Sequence, residues 1–418
     1  MPSTNAVERR RKKVGVSSLK VALVTVMAGL WVLVTWSHFH IASKHRPRDP
    51  IHQAPLKTVE PSIAKPTPLK DLREAELSHP HPDAKLLSKT NLKPGEVAIA
   101  DSTSSNTYPP IEKLITGKWN VTGDVSSLIN FAIVGFPKCG TSTMMEYLHA
   151  SPHTAVMQKE RCEMGNGHQA DLIRKIYEEL PEGDYKRGIK CPRDLENDFA
   201  VGNYAKFFPK TDFLVGMRHP VLWFQSFYNF RVYNNNPMPP AEELVGVCKK
   251  YTRQVCTNRA RFHQYLANLG KTALEGDELQ FFKQGGKELR VYKHKGKLFL
   301  YHVEQLKDEN PIRQLALRTD LTEFLGIPEI LPPLRIWTKP GKNLTQEQLA
   351  NANSHRLDIC HANHTWIRNY LINQAKGTAE WILNYLLKAK DVYVSSPDYF
   401  RAVLKAWEVD PCNNTAVV

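Results

Sequence analysis

The sequence predicts an α/β fold, a parallel sheet flanked by helices, set behind one membrane-spanning segment and an unstructured stem. Three observations carry that expectation. A short continuous apolar run, Phe131 to Gly135, leads into a loop rich in Gly and Pro and then a helix-forming stretch. A second strand-like stretch, Thr211 to Met217, apolar from Phe213 onward, is again followed by Pro and a helix-forming stretch. Unbroken apolar runs of this length suit strands buried on both faces. Near the start, a longer apolar run follows five consecutive basic residues.

The N-terminal run and the stretch that follows it account for residues 1–125. Arg9-Arg10-Arg11-Lys12-Lys13 precedes apolar residues from Val21 to Trp36, extended through Phe39 and Ile41. Counted over 19–41, it can cross a hydrocarbon core of about 30 Å. No small-x-small cleavage site closes it; Trp31, Trp36, His38 and Phe39 stand there instead, so an uncleaved signal anchor is expected. The basic cluster keeps residues 1–18 cytosolic and sends everything after Ile41 into the lumen. Over 42–125 prolines recur from Pro47 to Pro110 without sustained apolar periodicity, which predicts an extended stem. Residues 126–418 are the expected folded domain.

Charge follows the same division. Lys and Arg exceed Asp and Glu by 56 to 42, a net +14. Residues 1–50 hold nine basic against two acidic residues, so half the excess (+7) belongs to the anchor region. The basic balance therefore does not call for a nucleic-acid partner. A lumenal domain makes four sequons available, at Asn120, Asn343, Asn363 and Asn413, and permits disulfides. Of seven cysteines, Cys248 and Cys256 could close a small loop and Cys360 could reach Cys412. The odd total leaves at least one thiol outside any intramolecular pair.

The folded part opens on its most informative stretch. After Phe131–Gly135 come Phe136-Pro137-Lys138-Cys139-Gly140-Thr141-Ser142-Thr143 and then helix-forming residues. Backbone N–H groups of Gly140, Thr141, Ser142 and Thr143 would point at an anion at the helix N-terminus. Gly135 and Gly140 keep the spacing of a nucleoside-triphosphate loop, but Thr141 stands where that loop has Lys, and the lysine is Lys138, inside the loop. No clear Walker-B aspartate follows an apolar strand. The second strand ends in Arg218-His219-Pro220, with Ser226 eight residues after the arginine. A guanidinium pairs with phosphate oxygens, and a serine on the second helical turn can donate alongside.

These two elements resemble the sulfotransferases that use 3′-phosphoadenosine 5′-phosphosulfate, in particular the Golgi carbohydrate branch similar to heparan sulfate sulfotransferases. The resemblance implies that Lys138 and Gly140 to Thr143 hold the phosphosulfate, and that Arg218 and Ser226 hold the 3′-phosphate. It also implies a catalytic glutamate at Glu160, after the strand-like Ala155 to Gln158. The branch continues there with His-Phe-Phe, whereas this chain has Arg161-Cys162-Glu163-Met164, so Glu163 competes for the role. Lys190, closing the strand-like Lys186 to Lys190, matches a lysine lining the reaction centre. Lys297 to Leu306, and Arg313 to Pro328, are similar to a later strand and helix of the family. Gly341-Lys342 offers only a loose match to an adenosine-side segment.

The resemblance thus implies sulfonate transfer to a hydroxyl or amine of a glycan acceptor, on a type II Golgi membrane protein with no metal. The same chemistry on a sterol, phenol or tyrosine, a P-loop kinase, and a non-catalytic binding protein remain alternatives, and a homo-oligomer is left open. Other patterns have plainer readings. His355, His361 and His364 lack convincing zinc-ligand spacing. Trp366, Tyr370, Trp381 and Tyr385 read as one core face of a helix, and Pro397 to Trp407 as a further amphipathic helix.

Overall fold

The computed structural model describes residues 108–234, 236–250, 254–284, 289–335 and 345–413. The chain divides into two compact units, 1–97 and 98–418, and all described residues belong to the second. The expected anchor, nearly all of the stem, and the Gly341-Lys342 segment lie outside the described residues. Among the described residues no helix is long and apolar enough to cross a membrane.

The folded part starts before the expected boundary at 126. Helix α1 (Ile111–Leu114) leads into an antiparallel hairpin, β1 (Ile115–Thr116) and β2 (Asn120–Val121). Leu114, Ile115 and Val125 are buried in the main core, and Tyr108 stacks on Tyr177 with ring centres 4.5 Å apart. These few apolar residues order the segment by packing against residues far along the chain, without any periodicity of their own.

Six parallel strands follow: β3 (Phe131–Gly135), β4 (Thr154–Val156), β5 (Lys186–Lys190), β6 (Asp212–Met217), β7 (Leu298–His302) and β8 (Val392–Val394). Their spatial order is β4-β5-β3-β6-β7-β8. Ile133 faces Lys190 across one ladder and Leu214 across the other. Side chains alternate between two cores, as the pleat requires. Phe131, Ile133, Leu214, Phe299 and Tyr301 enter one core; Ala132, Val134, Phe213, Val215 and Leu300 enter the other.

Helices cover both faces. The first core is closed by α2 (Thr141–His149), and β4 and β5 are joined through α3 (Glu163–Asn166) and α4 (Gln169–Glu179). Helix α5 (Asp198–Phe207) leads into β6. Between β6 and β7 run α6 (Pro220–Tyr233), α7 (Phe262–Ala267) and α8 (Gly276–Gln284). Between β7 and β8 run α9 (Pro311–Leu325), α10 (Gln346–Ser354) and α11 (Thr365–Asn384), and α12 (Pro397–Lys405) comes last. In α11 the buried stripe is Ile367, Leu371, Ala375, Thr378, Trp381 and Ile382, with steps of three and four. Trp366, expected on that face, is 48% exposed. Phe400, Val403, Leu404 and Trp407 are buried as one face of α12 and the turn after it.

This topology dictates where a ligand fits. The chain leaves central β3 for β4 and β5 on one side, then crosses to β6 on the other. Such a reversal opens a crevice at the carboxyl ends of the strands.

Candidate functional site

The loop after β3 is held from three sides. Phe136 N–H donates to Gly216 O at 3.2 Å, Cys139 N–H to Phe136 O at 3.2 Å, and the Trp223 indole N–H to Pro137 O at 2.7 Å. Gly216 is required by this seating, because a Cβ there would stand 2.2 Å from Cys139 O. Lys138 and Gly140 both have left-handed backbone, φ 67° and 75°. For lysine that conformation is costly, and such strain gathers at ligand-holding turns. Helix α2 begins with Gly140 as its cap, receives no side-chain cap bond and has no acid in its first turn. Its leading N–H groups therefore lack intrahelical acceptors and carry the positive end of the helix dipole. The Lys138 ammonium lies 4.1 Å from the centre of the Phe230 ring.

Arg218 follows directly on β6, and Ser226 lies two turns into α6. His219 and Pro220 start that helix, His219 Nδ1 accepting from Val221 N–H at 3.2 Å. Among the described residues Arg218 makes no ion pair, and its Nε is buried without a hydrogen-bond partner. A buried guanidinium nitrogen left in that condition fits an anionic guest. Behind it, burial lowers the pKa of His219 to about 4 and of His302 to about 3, with the Arg218 charge a smaller contributor to both. Both imidazoles are neutral at ordinary pH and add no charge beside the arginine.

The third group comes from the ends of β4 and β5. The Lys190 ammonium lies 2.9 Å from Glu160 Oε1 and donates to Ser142 Oγ at 3.0 Å. The Glu160 side chain is 54% exposed at the cleft, whereas Lys190 is buried behind Glu160 and Ser142 instead of lining the cleft as expected. Two links fix this pairing: Arg161 N–H donates to Lys190 O at 2.8 Å, and a disulfide joins Cys162 to Cys191. Glu163 is engaged elsewhere, paired with Lys175 and, at 4.0 Å, with Arg161; its side chain is only 12% exposed.

One cleft of about 1340 Å³ joins these parts, lined by Lys138, Gly140 to Thr143, Glu160, Arg218 and Ser226. Two wall features escape sequence reading. Asp194, beneath the Cys162–Cys191 bridge, is buried and accepts from Tyr204 OH at 3.1 Å. Burial pushes its pKa up to about 8. Glu196 pairs with Arg259, both almost fully buried. The available signal was position alone, four and six residues beyond the strand-ending Lys190. Cys248–Cys256 and Cys360–Cys412 also form disulfides, leaving Cys139 free and buried. Of the three histidines weighed as ligands, His364 pairs with Glu242 at 3.0 Å.

No family model matches the chain, and no curated protein sequence does either. Among solved structures it is similar to a sulfotransferase from Alicyclobacillus acidocaldarius, with 16% identity and a TM-score of 0.40, covering 61% of this chain and 96% of that one. A likeness of that size carries no functional weight, and the reading below rests on the residues of the cleft.

Proposed function

We propose that this protein is a sulfotransferase, moving a sulfonate from 3′-phosphoadenosine 5′-phosphosulfate to a hydroxyl or amine of a carbohydrate acceptor. The observation that carries the reading is Arg218, whose buried Nε lacks a partner in the same cleft as the uncapped N-terminus of α2. The cleft thus offers two separate anion sites. Lys138 and the first turn of α2 suit a phosphosulfate, and Arg218 with Ser226 suits a 3′-phosphate.

The nucleotide supplies an activated sulfonate on a phosphate leaving group; the remaining work falls to this chain. Glu160 takes the acceptor proton as the acceptor oxygen or nitrogen forms its bond to sulfur. The bond between sulfur and the bridging oxygen breaks, and Lys138 offsets the charge arriving on the departing phosphate. Lys190 keeps Glu160 and Ser142 together at the point of transfer. Arg218 and Ser226 grip the nucleotide away from the reacting atoms and so orient it. A triphosphate-dependent kinase is less well supported, because Thr141 occupies the position of its lysine.

The same reading places the domain in the Golgi lumen, behind an uncleaved anchor at 19–41. Three disulfides support an oxidising compartment. The test is transfer from labelled phosphosulfate to glycans, sterols, phenols and tyrosyl peptides. Labelled glycan without added metal is the expected result. Label confined to sterol, phenol or peptide would move the acceptor class, and Mg²⁺-dependent ATP turnover without sulfonate transfer would overturn the reaction.

A further inference from the structure

Three aromatic side chains stand exposed together where the acceptor-side wall of the cleft runs outward. Trp119, in the β1–β2 turn, is 51% exposed, and its ring centre lies 5.2 Å from that of His168, itself exposed. Phe199, in the first turn of α5, is 57% exposed and lies over Gly167, where a Cβ would come within 3.3 Å of its ring. Gly167 and His168 are neighbours in sequence, which brings the Phe199 ring close to the Trp119–His168 pair on the same side of the chain's surface.

The patch is held in place. Arg174 donates to Gly117 O at 2.9 Å and Lys118 O at 3.0 Å, fastening the hairpin turn to α4. Asn197 caps α5 by accepting from Phe199 N–H at 3.0 Å, and donates to Gly165 O at 3.2 Å. Gly165, Asn166, Asn197 and Asp198 all line the cleft. The wall that carries Glu160 therefore continues through α3 to the rings. Seven residue steps separate Glu160 from Gly167, at most about 25 Å of extended chain, and the helical turn of α3 shortens that further.

Scattered exposed apolar residues need no explanation, but adjacent rings with a polar edge, continuous with a cleft, mark a binding surface. The chemistry selects the occupant. A pyranose has an apolar C–H face and a hydroxyl rim. Flat exposed rings match the face and Asn166 matches the rim, while the Lys118 ammonium lies over the Trp119 ring, 4.7 Å from its centre, and would be displaced from that face by a stacked sugar. A sterol would ask for an enclosed apolar wall, and this surface is open and edged with polar groups.

We propose that Trp119, His168 and Phe199 form a stacking subsite for a sugar ring of an extended oligosaccharide acceptor, beyond the ring that reacts at Glu160. The proposal deepens the sulfotransferase reading and rests on it. The test compares oligosaccharides of graded length with the disaccharide of the same terminal sugar, using the full chain and Trp119→Ala, Phe199→Ala and Trp119→Phe. Binding to the immobilised oligosaccharides is measured in parallel without nucleotide. In the unsubstituted protein, longer acceptors should have the higher kcat/KM. Each Ala variant should shrink that advantage about five- to ten-fold, the worth of one stacked ring, and Trp119→Phe should retain most of it. Equal length dependence in all variants, with transfer intact, overturns the subsite and spares the reaction. No transfer to any acceptor, with oligosaccharide binding still lost in Trp119→Ala, overturns the reaction and spares the subsite. A change in assembly mass by light scattering without a change in acceptor preference would make the patch a self-association face. Disappearance of the Trp119→Ala effect in an Asn120→Gln background would assign the ring to the chain's own glycan. Either result overturns the proposal.

Discussion

The Lys190 ammonium lies 2.9 Å from the Glu160 carboxylate and 3.0 Å from the Ser142 hydroxyl. Glu160 follows β4, Lys190 ends β5, and Ser142 stands in the first turn of the helix after β3. One buried cation thus ties together three strand ends that are distant in sequence and adjacent in the sheet. Its position makes Glu160 and the loop after β3 parts of one structure.

Replacing the carboxylate tests that arrangement. Glu160→Gln should bind 3′-phosphoadenosine 5′-phosphate normally while turnover falls about 10²- to 10⁴-fold, the usual worth of a positioned general base. The loss should appear equally in kcat and kcat/KM, as for an interaction made only in the transition state. Glu163→Gln, which disturbs only the pairs with Lys175 and Arg161, should cost far less. The opposite pattern in steady-state kinetics would transfer the role to Glu163.

Arg218→Ala addresses the proposed grip on the 3′-phosphate. Nucleotide affinity should fall by about 2–4 kcal/mol, the range for losing one partner of a charge-assisted phosphate contact. The variant should also stop distinguishing nucleotides with a 3′-phosphate from those without. Calorimetric titration with both ligands checks this, and an unchanged preference would remove Arg218 from the site.

The Cys162–Cys191 bridge closes a 29-residue separation between the ends of β4 and β5. Substituting both cysteines by Ser should lower unfolding free energy by about 3.6 kcal/mol on the chain-entropy estimate. Because the bridge holds Glu160 beside Lys190, turnover should fall further than nucleotide affinity. Chemical denaturation with parallel kinetics would show whether the two losses separate.

Stability should depend on pH in two windows. His219 and His302 titrate near 4 and 3 in the fold, below the unfolded value of about 6.5. The unfolded chain then binds more protons, so their contribution is present above about pH 6.5 and is lost as pH falls towards 4. Asp194 is the reverse case, raised to about 8 from an unfolded value of about 3.9. Its contribution is lost as pH rises towards 8, by about 1 kcal/mol per pH unit between 6.5 and 8, where the histidines no longer titrate. Asp194→Asn should flatten that upper limb in urea titrations and steepen the acid limb, because between about pH 4 and 6.5 Asp194 opposes the histidines.

The position of the candidate site was legible because β3 is a continuous apolar run and β6 a largely apolar one, with Lys138 three residues beyond the first and Arg218 directly after the second. Lys138 and Arg218 announce themselves as charges just past such runs, whereas Lys190 closes the mixed stretch Lys-Arg-Gly-Ile-Lys and stood out only through the family resemblance. The choice between Glu160 and Glu163 was not legible. It depends on which carboxylate meets Lys175, a residue on α4 twelve positions from Glu163. The Cys162–Cys191 pairing was equally hidden, since it requires knowing that β4 lies beside β5. β8 was missed because three residues at a sheet edge, with Tyr393 42% exposed, carry too short a pattern. Trp366 was misplaced because aromatic spacing alone does not say which way a helix is rolled.

Six cysteines are paired and the seventh, Cys139, is sealed inside the loop after β3. During oxidative folding the choice of odd thiol and the pairing of the other six allow about 105 connectivities. Burial pushes the Cys139 thiol far from its ionised form, and only the thiolate attacks disulfides. A chain that closes β3 and its loop early therefore withdraws one competitor and leaves about fifteen ways to pair the rest. The glycine that lets the loop lie against β6 thereby becomes a folding determinant as well. A bulkier residue at Gly216 would lift the loop, return the thiol to solvent, and divert part of each batch into shuffled, inactive isomers.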